Sequence, residues 1–169
     1  MNNSRKQKTS QVDFSDVFRT YFATQTRGVN YNVRAYANFR HDLQFLSSLI
    51  HDAVILPEQC RRRGRRLQLA LNRDRWELLS VVGELQVIPS RLVIEPVQKC
   101  VFSLRDVLPG ETSSPELMIS SLEAGKEAGE IADDENNTWT FALQGEKWEY
   151  QVVLPRWDFR IVLKDLPES

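Results

Sequence analysis

The chain has 169 residues, 41% of them apolar and 27% charged, with a formal net charge of -1. That composition excludes a disordered chain, and a chain of this length buries roughly two-thirds of its unfolded surface, so it needs no disulfide or metal to be stable. The near-zero charge hides a split: residues 1–100 carry 16 Lys+Arg against 9 Asp+Glu, and residues 101–169 carry 6 against 14. The split reads as two halves packed on each other, or as two opposed faces, one of them suited to an acidic partner.

Residues 1–12 are polar, basic and aperiodic, which predicts a disordered tail ahead of a single globular domain over 13–169. The tail lacks the apolar core of a signal peptide. No apolar run approaches the ~20 residues that span a bilayer, so no membrane contact is expected and the compartment reads as cytoplasmic. Phe14, Val17, Phe18, Tyr21 and Phe22 share one helical face and predict a helix that closes the end of a sheet. Tyr31, Val33 and Ala35 alternate, as in a strand or an extended loop. A second helix is expected from Asn38, with Leu43, Leu46, Leu49 and Ile50 on one face. It ends near His51, because Val54, Ile55 and Leu56 favour extended backbone and Pro57 stops regular structure.

Strands follow. Leu67, Leu69 and Leu71 alternate with Gln68, Ala70 and Asn72, the pattern of an antiparallel strand with one wet face. Arg73 to Arg75 reads as a turn or a polar continuation, Trp76–Val82 as a second strand and Gly83-Glu84 as a tight turn. Leu85–Ile88, Arg91–Glu95, Val97–Leu104 and Met118–Leu122 read as further short strands. Residues 108–115 are a loop, and residues 123–137 an acidic one. In the last third, Trp139, Phe141 and Leu143 alternate, then Trp148, Tyr150, Val152 and Leu154, then Phe159, Ile161 and Leu163. The turn at Gln144–Lys147 makes a hairpin of the first two, and the third completes a meander. The expected fold is therefore α+β and mainly β. It has about eight short antiparallel strands in a curled sheet or a sandwich, with one or two N-terminal helices.

The densest charge run is Arg61, Arg62, Arg63, Arg65 and Arg66 around Gly64. Arginine presents a planar fork of donors that matches phosphate and carboxylate. On a turn between strands such a run contacts a nucleic-acid backbone or another anion, or else stays solvated. Base stacking beside it would need outward aromatics, for which Trp76 and Trp157 are the candidates. A second cluster is His51, Asp52 and Cys60, where neighbouring arginines are expected to lower the thiol pKa. The pairs His41-Asp42 and His51-Asp52 lack the further histidine ligands that His-Asp phosphohydrolases use, so no family, metal or cofactor is assigned.

No nucleophile elbow is present. The functional expectation is a non-enzymatic binding or protein-interaction domain, pairing its basic turn with an acidic protein surface or a second copy. The alternatives are a nucleic-acid- or anion-binding module using residues 61–66, and an enzyme of unknown reaction built on His51, Asp52 and Cys60.

Overall fold

The computed structural model describes residues 28–36, 38–79, 83–105, 116–125 and 137–166. The basic tail, the expected helix over Phe14–Phe22, the 108–115 loop and most of the acidic loop lie outside these residues.

Ten strands and one α-helix are described. They run β1 (Asn30–Arg34), α1 (Phe39–Ile50), β2 (Val54–Ile55), β3 (Arg61–Arg63), β4 (Arg66–Asp74), β5 (Val87–Glu95), β6 (Lys99–Leu104), β7 (Ser121–Ala124), β8 (Thr138–Gln144), β9 (Trp148–Pro155) and β10 (Arg160–Asp165). They form two antiparallel sheets. The larger has the order β1-β10-β5-β4-β2, with β3 also pairing β4; the smaller has the order β6-β9-β8-β7. The fold is thus mainly β with antiparallel pairing, as the alternation implies. One hydrophobic core joins the inner faces of both sheets to α1, with Leu46, Leu71, Leu92, Phe141 and Ile161 at its centre. The helix buries Phe39, Leu43, Leu46, Leu49 and Ile50, the expected face. It ends at His51, and Asp52 follows in the left-handed region with φ 63°.

Three local expectations change. Trp76–Leu78 is a single 3-10 turn, not a strand, and buries Glu77 and Leu78. Leu85–Ile88 and Arg91–Glu95 are one strand running through Pro89, from Val87 to Glu95. Pro89 opposes Asn72 within the ladder. Met118 only bridges Val54, and the strand there begins at Ser121.

The last three strands are not a meander either. β8 and β9 pair in the smaller sheet, but β10 crosses to the larger one and inserts between β1 and β5. The crossing is local: Pro155 ends β9, and Phe159 enters the core before Arg160 opens β10. At the β8–β9 turn Gly145 lies against the Trp148 indole, where a Cβ would meet Nε1 at 2.0 Å, so this turn needs glycine for space.

The larger sheet is locked by charges at its core. Leu67, Leu69 and Leu71 point inward, and the same alternation carries Arg73 inward, where its side chain is 0% exposed. Asp165 continues Ile161 and Leu163 in the same way. The two meet: Arg73 Nε and Nη2 donate to Asp165 at 2.8 and 2.6 Å, and Arg73 Nη1 and Nη2 donate to Glu77 at 3.0 and 2.7 Å. Asp165 also accepts the Val29 N–H at 2.7 Å and the Ser90 hydroxyl at 2.7 Å. Burial pushes the Asp165 carboxyl up, but the Arg73 bonds and charge, with those of Val29 and Ser90, outweigh it and hold it below the usual carboxylate range. Every oxygen of this carboxylate is used, which makes the cluster a clamp joining β4, β5, β10 and the segment before β1. Gly28 fits beside it at φ +101° with a would-be Cβ 2.8 Å from the Asp165 Cβ, so only glycine passes there.

Candidate functional site

The arginine run folds as a β-hairpin. β3 pairs β4 with Arg61 opposite Gln68, Arg62 opposite Leu67 and Arg63 opposite Arg66. Gly64, at φ +57°, and Arg65 make the turn. All five arginines are exposed. Alternation then sorts them. Arg62 shares a rung with inward Leu67, whereas Arg61, Arg63 and Arg66 share the outward side with Gln68. These three arginines and Gln68 line a polar hollow of about 250 Å³.

The outward side continues across the sheet. Arg66 and Glu95 lie side by side where β4 and β5 pair, Glu95 is opposite Arg160, and Arg160 is opposite Arg34. The end rung of the outer face therefore reads Arg63, Arg66, Glu95, Arg160, Arg34. Two residues further in, it reads Arg61, Gln68, Val93, Val162, Asn32, and then Ala70, Arg91, Lys164, Asn30. Among the described residues, seven cations thus share one face with two carboxylates, Glu95 and Asp74. Strands in a sheet are about 4.8 Å apart, so the end rung spans roughly 19 Å. Arg66 approaches Glu95 at 3.6 Å, and Arg160 also pairs with it. Among the described residues, Arg34, Arg63, Arg65, Arg91 and Lys164 have no hydrogen-bonding side-chain partner and no ion pair. Arg160 and Lys164 come from the acidic half of the sequence, so this face draws its cations from both halves of the chain.

Trp157, just before Arg160 in the chain, is 71% exposed, with the Arg156 guanidinium 5.0 Å from its ring centroid. Arg156 also lies 5.3 Å from the centroid of the Trp139 ring, and Arg40 lies 5.0 Å from the same centroid. Cations between indoles form a partly exposed stack at this end of the sheet. Trp76 is also partly exposed, at 38%.

The inward side of the hairpin opens on a second feature. Arg61, Arg62, Cys60, Leu67 and Leu69 face Phe102, Trp148 and Tyr150 of the smaller sheet across a cleft of about 280 Å³. Cys60 donates its thiol to the Leu56 carbonyl at 3.3 Å. Burial pushes the Cys60 thiol up, against the expectation that nearby arginines would lower it; their guanidinium groups are turned to other partners. Burial and a hydrogen bond with Cys100 push the Tyr150 hydroxyl up as well.

His51 and Asp52 stand apart from this cleft. His51 Nδ1 is 3.0 Å from Asp52 Oδ2, both side chains are partly exposed, and the Asp52 N–H bonds the Ile119 carbonyl. Neither lines the cleft that Cys60 lines. Among the described residues no group of three or more His, Cys, Asp or Glu side chains could hold a metal ion, and no helix is long and apolar enough to cross a membrane.

Comparison with protein families, with curated proteins and with solved structures finds no match to this chain.

Proposed function

We propose that this is a binding domain that holds a nucleic-acid backbone on the outer face of its larger sheet. The observation that carries the reading is the seven cations on one sheet face, most of them without a carboxylate partner. A surface salt bridge contributes little to stability, so a cation with no partner at all adds even less to the fold. Six of the seven are arginines, whose fork binds phosphate oxygens in pairs. Their spread over five strands suits a repeating line of charge better than a single anion. The exposed Trp157 beside Arg156 adds a surface on which a base can stack. Backbone contacts of this kind carry no sequence information, so the binding is expected to be largely indifferent to sequence.

The test is fluorescence anisotropy with a labelled oligonucleotide of mixed sequence, single- and double-stranded, from 50 to 200 mM salt. Engagement of about four or five phosphates predicts that log K falls with log salt at a slope of about -3 to -4. Absence of binding at 50 mM salt, or binding that salt does not change, overturns the reading. Binding of an acidic protein surface in preference to the oligonucleotide would assign the same face to a protein partner instead.

A further inference from the structure

The cleft on the inner side of the hairpin is a second site, and Arg61, at the hairpin edge, is the one residue it shares with the nucleic-acid face. In the smaller sheet, Phe102 is opposite Tyr150 and Leu104 is opposite Trp148. Cross-strand partners point to the same side. Trp148 is 1% exposed, so that side is the inner face; yet Phe102 is 48% and Leu104 49% exposed. Two inward apolar side chains are left uncovered on β6, the edge strand of the smaller sheet. The opposite wall is Ile55, Leu67 and Leu69, all apolar, and no carboxylate among the described residues lines the cleft.

The mouth is cationic. Arg62 reaches from β3 across to β6, donating Nη1 to Cys100 Sγ at 3.1 Å, and donates Nε to the Gly64 carbonyl at 3.3 Å. Arg61 Nη1 donates to the carbonyls of Glu58 and Cys60 at 2.8 and 2.9 Å. None of the four acceptors is a carboxylate. A guanidinium that gives up a thiol or a carbonyl for a carboxylate gains a charge-assisted, two-pronged contact. An aliphatic tail in the cleft would meanwhile cover Phe102 and leave water.

We infer that the cleft binds a single-chain aliphatic carboxylate, with the tail between Leu69 and Phe102 and the carboxylate on Arg62, assisted by Arg61. The thiol of Cys60 and the hydroxyl of Tyr150 stay neutral near pH 7 and place no opposing charge beside it.

The experiment is calorimetric titration of the full chain with sodium decanoate below its micelle concentration, beside decanol and decyltrimethylammonium. Decanoate is expected to bind one-to-one and at least about tenfold more tightly than either, the margin of a hydrogen bond to a charged group. Arg62→Gln should remove that margin while leaving decanol binding as it was. Phe102→Ser, at a half-exposed position, should weaken both in a variant that unfolds as cooperatively as the parent. Arg91→Ser, on the outer face, should leave decanoate binding unchanged, which separates this site from the nucleic-acid reading. Equal binding of decanol and decanoate, an indifferent Arg62→Gln, or no heat from decanoate overturns the inference.

Discussion

Asp165→Asn is expected to lower the free energy of unfolding by about 3–5 kcal/mol, the cost of breaking a buried ion pair by removing one charge. Arg73 would keep Glu77, but the amide offers one acceptor oxygen where the carboxylate offers two, so one of the two Arg73 bonds is lost and the clamp of β4, β5 and β10 is weakened at the sheet centre. Urea unfolding followed by tryptophan fluorescence measures this, with the midpoint falling and the slope unchanged. The pH dependence has a fixed sign. The carboxyl titrates lower in the folded chain than in the unfolded one, where its pKa is about 3.9. Its stabilisation is therefore complete above about pH 4 and is lost as the pH falls through the folded value. The native chain should lose stability more steeply below about pH 4 than Asp165→Asn, which has no such group to titrate. Parallel acid curves for the two proteins would remove the clamp from this account.

The second large effect belongs to the outer face. A variant carrying Arg34→Ser, Arg63→Ser, Arg91→Ser and Lys164→Ser is expected to bind a mixed-sequence oligonucleotide roughly a hundredfold more weakly near 50 mM salt. The salt slope should become shallower by about three, close to one for each phosphate contact removed. Its thermal midpoint should stay near that of the parent, because these side chains make no ion pair in the fold and surface changes of this kind cost little. Near-parent affinity in a folded variant would show that the cations are merely solvating the sheet.

The period-two alternation made most of the architecture readable. Leu67 to Leu71 and Phe159 to Leu163 point their inner residues as written, and the α1 face is the one its spacing gives. What alternation does not contain is pairing. Nothing local says that β10 leaves β9 for a place between β1 and β5, because that choice depends on which distant strand completes the core. The buried clamp was nonetheless signalled: Arg73 and Asp165 are charged residues on the inward phase of apolar strands, and an inward Arg in one strand calls for an inward acid in another.

The basic face was legible only in part. Arg61, Arg63 and Arg66 stand in one run. Arg34, Arg91, Arg160 and Lys164 are scattered singly, and only strand register brings them into line. The same register splits the run itself, sending Arg62 to the inner cleft. His51, Asp52 and Cys60, close in sequence, separate because a helix end and a 3-10 turn redirect the chain between them.

The most direct test of the face is a map of where an oligonucleotide sits. In an NMR titration with unlabelled single-stranded oligonucleotide, backbone amides and arginine Nε–H signals of residues 34, 63, 66, 91 and 160, with the Lys164 amide, are expected to shift together and saturate together. Residues of β7 and β8 in the smaller sheet are expected to stay unmoved. Shifts confined to the smaller sheet, or none on the outer face at saturating oligonucleotide, would contradict the assignment.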